Sequence, residues 1–161
     1  ITLHSRIYIN EEVYIAVEFK HQEKNPSAIW LNSHQTDSDS FLYTMTKPIS
    51  ARALFPCMDS PTIKSTVSAK ITVPEGFKAQ FSGLLEKTKA YSNKNKKLSK
   101  TKFYFSQRIH IPAYLIGFVV GKLEQKAVSN RVMVTAERPK LAKAVEHLKD
   151  IDTYISRTED Y

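Results

Sequence analysis

Apolar and polar residues alternate over several stretches of the chain, which is the pattern of β-strands with one buried face. In residues 13–20 every second position is apolar. The clearest alternation runs over residues 65–73, where Val67, Ala69 and Ile71 lie between polar neighbours. Shorter strands are predicted at 28–31, 41–45, 102–109, 115–120, 122–128 and 131–135.

Proline and glycine mark the turns between these strands. Pro74-Glu75-Gly76 predicts the tip of a hairpin, with Phe77, Ala79 and Phe81 on its return strand and Gly83 at its end. Ser129-Asn130 predicts a second turn. We therefore expect neighbouring strands to pair in antiparallel sheets.

Only the end of the chain has helical periodicity. Pro139 suits the first position of a helix. A single apolar stripe follows at helical spacing, formed by Leu141, Ala144, Leu148, Ile151 and Ile155. The pattern predicts a mainly β fold, a two-sheet β-sandwich or saddle-like domain with one C-terminal helix, and 161 residues suit a single domain over 1–161.

The composition adds a basic charge, with 24 Lys and Arg against 16 Asp and Glu. Much of the excess lies in one stretch rich in Ser and Asn. Without arginine or regularly spaced aromatic residues it is most simply a solvated loop, and a phosphate-binding patch is the alternative. Nucleic acid is therefore not an expected partner, and no apolar run is long enough to span a membrane. The lysines of this stretch are Lys87, Lys89, Lys94, Lys96, Lys97, Lys100 and Lys102.

Residues 52–61 predict an irregular, buried crossing between strands. Pro56 and Pro61 exclude a regular helix or strand, and the apolar residues between Arg52 and Asp59 are unusual for an exposed loop. Arg52, Asp59 and Ser60 could pair with the backbone there. The one cysteine, Cys57, is interpreted as a packed structural residue and not a nucleophile, and its isolation excludes an intrachain disulfide and suits a cytoplasmic protein.

The same crossing carries a family resemblance. Residues 51–61, ARALFPCMDSP, resemble the Ala-Arg-x-x-Phe-Pro-Cys-x-Asp-x-Pro signature of the M1 zinc aminopeptidases, nearest to the branch of leukotriene A4 hydrolase and aminopeptidase B. Further matches lie at 1–3, 28–31, 35–36, 71–74, 111–116 and 120–124. The resemblance implies part of the N-terminal β domain of such an enzyme. Its signature residues here are Arg52, Phe55, Pro56, Cys57, Asp59 and Pro61.

Zinc in this family is held by a His-Glu-x-x-His helix, in a domain that the resemblance does not cover. The five histidines of this chain include no pair four residues apart. We therefore expect no catalytic residue, metal or other cofactor in this chain, and no activity from it alone. If the parent protein is active, its zinc is expected in its catalytic domain.

One strand of the family's N-terminal domain reaches the active site, through a Gln-x-Gln or Gln-x-Glu segment that holds the amino-terminal end of a peptide substrate. The matching positions here are Met45 and Lys47. Lysine repels an ammonium group, and a thioether is a weak acceptor. The resemblance thus implies an altered substrate-binding position.

Two functional interpretations follow. The chain is either a non-catalytic domain that lines the substrate cleft of a zinc metalloaminopeptidase, or a catalytically inactive M1-like module that acts as a structural or protein-interaction subunit of a larger assembly. The family domain begins several strands before the position of Ile1. We therefore expect the chain to need the rest of a parent polypeptide, or partner subunits, and to meet a peptide substrate only in a full-length parent.

Overall fold

The computed structural model describes residues 6–22, 24–37, 40–93 and 98–161. In chain order the elements are β1 (Ala28–Asn32), β2 (Ser40–Thr44), α1 (Ala51–Leu54), β3 (Lys64–Pro74), β4 (Lys78–Phe81), β5 (Leu84–Asn93), β6 (Leu98–Pro112), a 3-10 turn (Ala113–Leu115), β7 (Phe118–Gly121), β8 (Leu123–Ala127), β9 (Met133–Glu137), α2 (Arg138–His147) and α3 (Ile151–Glu159). The predicted mainly β fold is confirmed.

The described strands form antiparallel sheets. The first has the order β1-β2-β7-β4, the second the order β3-β6-β5, and β8 pairs with β9 in a separate hairpin. The predicted turn at Ser129 is confirmed, because the Ser129 hydroxyl accepts the N–H groups of Arg131 and Val132.

Two apolar clusters hold the sheets together. One contains Val73, Phe103 and Phe105 from the second sheet and Ala79 from β4, and the other contains Ala28, Leu42 and Leu54. Val120 of β7 packs against both clusters. The core is therefore continuous between the two larger sheets, with the burial of apolar surface as its main driving force.

The predicted hairpin at Pro74-Glu75-Gly76 is wrong. The turn exists, with Gly76 at φ +84° and the Phe77 N–H bonded to the Pro74 carbonyl at 3.2 Å. However, β3 pairs with β6 and β4 pairs with β7, so the turn carries the chain from one sheet to the other. Alternation identified the buried face of each strand but not its partner, since both strands face the same core cluster.

The predicted lysine loop is also wrong over most of its length. Lys87 and Lys89 belong to β5, and Lys100 and Lys102 belong to β6. The pairing of the two strands satisfies the backbone polar groups, while every second side chain carries its charge on the solvent face. Lys94, Lys96 and Lys97 lie outside the described residues.

The strand predicted at 13–20 does not form, and its apolar side chains Val13, Ile15, Val17 and Phe19 are 45–57% exposed. A strand needs a neighbour for its N–H and C=O groups. No described strand pairs with this segment. Its alternation therefore marks a potential strand whose ladder is missing from the described chain.

The single C-terminal helix predicted from the apolar stripe is divided. The chain leaves helical geometry after His147 and re-enters it at Ile151. Arg131, from the β8–β9 turn, donates to the carboxylates of Asp152 and Glu159 and, at 2.7 Å, to the hydroxyl of Ser156. These contacts fix α3 from the side, because they join one guanidinium to three positions on one helix face.

Candidate functional site

The segment that leaves β2 is anchored by Thr46. Its hydroxyl lies 2.8 Å from the carbonyl oxygen of Tyr114 and 3.3 Å from that of Ile116, and the residue is buried. The preceding N–H, of Met45, donates to the Ser27 carbonyl at 3.0 Å. The backbone of this segment is therefore held on two sides.

Met45 and Lys47 lie on either side of this anchor. Met45 is 55% exposed and Lys47 is also exposed, and the peptide bond between Lys47 and Pro48 is cis. The two residues are exposed, whereas Thr46 between them is buried. Both predicted substrate-binding positions are therefore open to solvent, on either side of an anchored residue.

Two side chains just before β1 anchor the short helix α1, where the crossing begins. The Asn25 side-chain N–H donates to the Ala53 carbonyl at 2.7 Å, and the hydroxyl of the fully buried Ser27 donates to the Ser50 carbonyl, also at 2.7 Å. Sequence reasoning missed Asn25, Ser27 and Thr46. Their only signal was a small polar residue beside a strand end, which is common in any turn.

Within the crossing the structure brings Arg52 and Asp59 together. The Arg52 Nε donates to Asp59 Oδ2 at 2.9 Å, and the Arg52 backbone N–H donates to the same oxygen at 3.2 Å. The Asp59 side chain is only 5% exposed. The hydrogen bond from the Arg52 side chain is the main cause that lowers the pKa of Asp59 below its ordinary value.

Cys57 lies between these two residues in the chain and is a half-buried free thiol. Burial, followed by the negative charge of Asp59, raises its pKa above the ordinary value, and Arg52 opposes this only in part. The thiol therefore stays protonated near neutral pH, where a protonated sulfur is a poor nucleophile.

The remaining signature residues divide between core and surface. Phe55 packs against the cluster of Ala28, Leu42 and Leu54, while Pro56 and Pro61 are exposed. The crossing is less regular than a strand but begins with the short helix α1, which the sequence did not predict. Met58 is exposed, contrary to the predicted burial of its apolar side chain.

The described residues do not fit a catalytic zinc. No group of three or more His, Cys, Asp or Glu side chains among them could hold a metal ion. His21 lies 2.7 Å from the side-chain nitrogen of Asn25, and His4 is outside the described residues. In the parts of the chain that the structure describes, no helix is long and apolar enough to cross a membrane.

Comparisons with known proteins agree with the signature. Over 163 residues the chain is 28% identical to leukotriene A-4 hydrolase of Xenopus laevis, and over 165 residues it is 32% identical to leucine aminopeptidase 2 of Aspergillus oryzae. Each alignment covers 99% of this chain and 26% of the relative. The chain thus spans about a quarter of the length of these relatives.

The fold is similar as well. The structure of native yeast leukotriene A4 hydrolase matches with a TM-score of 0.72 and 30% identity, over 87% of this chain and 21% of the yeast chain. The model of the Peptidase M1 N-terminal domain family matches residues 1–115, which include β1, β2, the crossing and the whole second sheet. The chain therefore belongs to the Peptidase M1 N-terminal domain family.

Proposed function

We propose that the chain is the non-catalytic N-terminal domain, over 1–161, of a zinc metalloaminopeptidase similar to leukotriene A4 hydrolase, and that the end of β2 lines the substrate cleft of the parent enzyme. The observation that carries this proposal is the arrangement at Thr46. The buried hydroxyl of Thr46 holds the backbone, while Met45 and Lys47 on either side of it are exposed. An anchored backbone whose neighbouring side chains are exposed suits a surface that positions a ligand.

The zinc of such an enzyme belongs to its catalytic domain, where it would activate water for peptide hydrolysis. This chain contributes the shape and charge of the cleft. An ammonium at the end of a peptide is bound best by carboxylate or amide oxygens. Lys47 offers a positive charge instead, so the parent is expected to bind a free amino terminus poorly at this position.

The test uses the full-length parent with Lys47→Glu. A carboxylate there would form a charge-assisted hydrogen bond to the substrate amine, worth about 1.5–3 kcal/mol. We expect kcat/KM for an aminoacyl substrate to rise by about tenfold to a hundredfold. Lys47→Gln removes the charge without adding a carboxylate, and Lys64→Glu, at the exposed start of β3, is the matched control. An unchanged kcat/KM for Lys47→Glu in an active parent contradicts the substrate-binding assignment.

The second candidate is a catalytically inactive M1-like module in a larger assembly. The observations that favour it are the lysine at position 47 and the exposed apolar residues of 13–19, which suit further polypeptide as a cover. The free thiol of Cys57 supports a cytoplasmic location for either candidate. A full-length parent without zinc and without peptidase turnover, purified as part of a complex, would support the second candidate.

A further inference from the structure

One face of the β3-β6-β5 sheet carries an unusual concentration of lysine. Tyr104, on the central strand, is directly opposite Lys70 on one side and Lys87 on the other. Residues directly opposite each other in an antiparallel ladder share a face, and so do alternate residues along each strand. We define the lysine face as Lys70, Lys87, Lys89, Lys100 and Lys102 with Tyr91 and Tyr104.

The charges on this face are not neutralised within the described chain. None of the five lysines forms an ion pair with a described carboxylate, and the nearby Glu86 pairs with Arg108 at 3.4 Å. Lys89 and Lys102 are directly opposite each other, which is unfavourable for like charges. The face therefore favours an anionic partner, which would remove this repulsion.

The two tyrosine rings are already covered by ammonium groups. Lys70 Nζ lies 5.4 Å and Lys87 Nζ 4.8 Å from the centroid of Tyr104, and Lys102 Nζ lies 4.7 Å from that of Tyr91. Binding of single-stranded nucleic acid uses free aromatic faces for stacking, often with arginine. Both rings are already covered by ammonium groups, and Arg108, farther along the same side of β6, pairs with Glu86. The face therefore favours carboxylates over bases.

The edge strand β5 supplies a second element of recognition. It is ten residues long, and no described strand pairs with its outer side. An extended peptide could add there through backbone hydrogen bonds, as in other sheet-edge complexes. Every second side chain of the added strand would lie beside Lys87, Lys89 and Tyr91, while the others would lie beside the small exposed residues Thr88, Ala90 and Ser92.

We infer that the lysine face and the outer edge of β5 together bind an extended acidic polypeptide segment, in which Asp or Glu occupies alternate positions. The carboxylates would neutralise the lysines, and the backbone would extend the sheet by one strand. Lysine on an edge strand also discourages pairing with another copy of the chain, because like charges would meet. An acidic strand avoids this repulsion, because its charges are opposite to those of the lysines.

The experiment measures binding of fluorescein-labelled peptides to the full-length protein that contains this chain. The probe is an eight-residue peptide that alternates Glu and Val. One control has the same composition with its four Glu and four Val in blocks, and another is the alternating peptide with N-methyl groups on every second residue. We expect binding of the alternating peptide, weakening as salt rises from about 50 to about 200 mM. The block and N-methylated peptides should bind at least about fivefold more weakly.

Charge variants locate the site. The double substitution Lys87→Ser and Lys89→Ser should weaken binding of the alternating peptide by about fivefold to tenfold. The matched control, Lys126→Ser with Lys143→Ser, removes the same charge from exposed positions on β8 and α2 and should leave binding unchanged. Because the peptide controls need no substitution, they test the inference even if a variant folds poorly.

Three outcomes would overturn the inference. Equal binding of the alternating and block peptides would show attraction by charge alone. Equal weakening by the Lys126/Lys143 control would place the site elsewhere. Tighter binding of a ten-nucleotide oligothymidylate than of the alternating peptide would identify nucleic acid as the partner.

Discussion

The β3–β6 ladder and residues 45–61, which lead from β2 through the crossing, are ordered in two different ways. In the ladder, backbone groups bond to each other in one register from Val67 to Pro74, and apolar side chains such as Phe103 and Phe105 lie beneath it. In residues 45–61, the side chains of Asn25, Ser27 and Asp59 bond to the backbone instead. An irregular segment can therefore be as well anchored as a strand, and different substitutions should destabilise each region.

The largest effect is expected in the ladder. Phe105→Ala should lower the free energy of unfolding by about 3–5 kcal/mol, because the ring is buried between the sheets and contacts Phe81 and Phe103. Tyr154→Ala is the matched control, on an exposed aromatic ring of α3, and should change stability by less than about 0.5 kcal/mol. Chemical denaturation of the full-length protein measures both. Similar losses for the two variants would contradict the assigned core.

A smaller effect is expected where β5 begins. A Cβ at Gly83 would lie 2.8 Å from the Ser106 carbonyl oxygen and 2.9 Å from its carbon. Gly83→Ala should therefore lower the free energy of unfolding by about 1–3 kcal/mol, since backbone must move. At Gly76, where nothing lies within 4 Å of such a Cβ but φ is +84°, Asn should be tolerated with a much smaller loss. Thermal unfolding compares the two variants, and an unperturbed melt for Gly83→Ala would argue against this close approach.

The crossing should respond to the loss of one hydroxyl. Ser27→Ala removes the donor to the Ser50 carbonyl and should lower the free energy of unfolding by about 1–2 kcal/mol. Ser65→Ala, at an exposed position on β3, is the matched control and should be nearly neutral. Equal stability of both variants in denaturant would show that the crossing does not depend on this anchor.

The smallest effect concerns pH. Because the folded pKa of Asp59 lies below its ordinary value of about 4, its contribution to stability is fully present above that value and is lost as pH falls through the folded pKa. Asp59→Asn should therefore flatten the decline of Tm below about pH 4, with little change in slope near neutrality. Asp160→Asn is the control at an exposed position next to α3. If Tm of Asp59→Asn declines below about pH 4 as steeply as Tm of the unsubstituted protein, the ion pair with Arg52 is contradicted.

Sequence alone predicted the faces of strands better than their partners. The alternation of Val67, Ala69 and Ile71 identified β3, yet the same pattern at 13–20 produced no strand, because a ladder depends on what lies beside it. The sequence analysis predicted a loop where β5 forms, because a strand with lysine at alternate positions has the composition of a solvated loop.

The candidate site shows the same limit. The signature at 51–61 identified the crossing and named both Arg52 and Asp59, but as partners of the backbone and not of each other. Thr46 could not be found in this way. Its role depends on the carbonyl oxygens of Tyr114 and Ile116, which lie far away in the chain and approach it only through the pairing of β2 with β7.

The position of β7 between β2 and β4 also determines when the molecule can fold. Leu42 of β2 pairs with Val120 of β7. The strands β2 and β4 are therefore synthesised well before the strand that pairs with both of them. During synthesis, the β1–β2 hairpin leaves the ribosome with its inner edge open and its sheet unfinished. Such distant pairings slow folding, because a long loop must close first. The first sheet is therefore complete only after β7 has inserted between β2 and β4, and the adjoining residues Tyr114 and Ile116 supply the acceptors of Thr46.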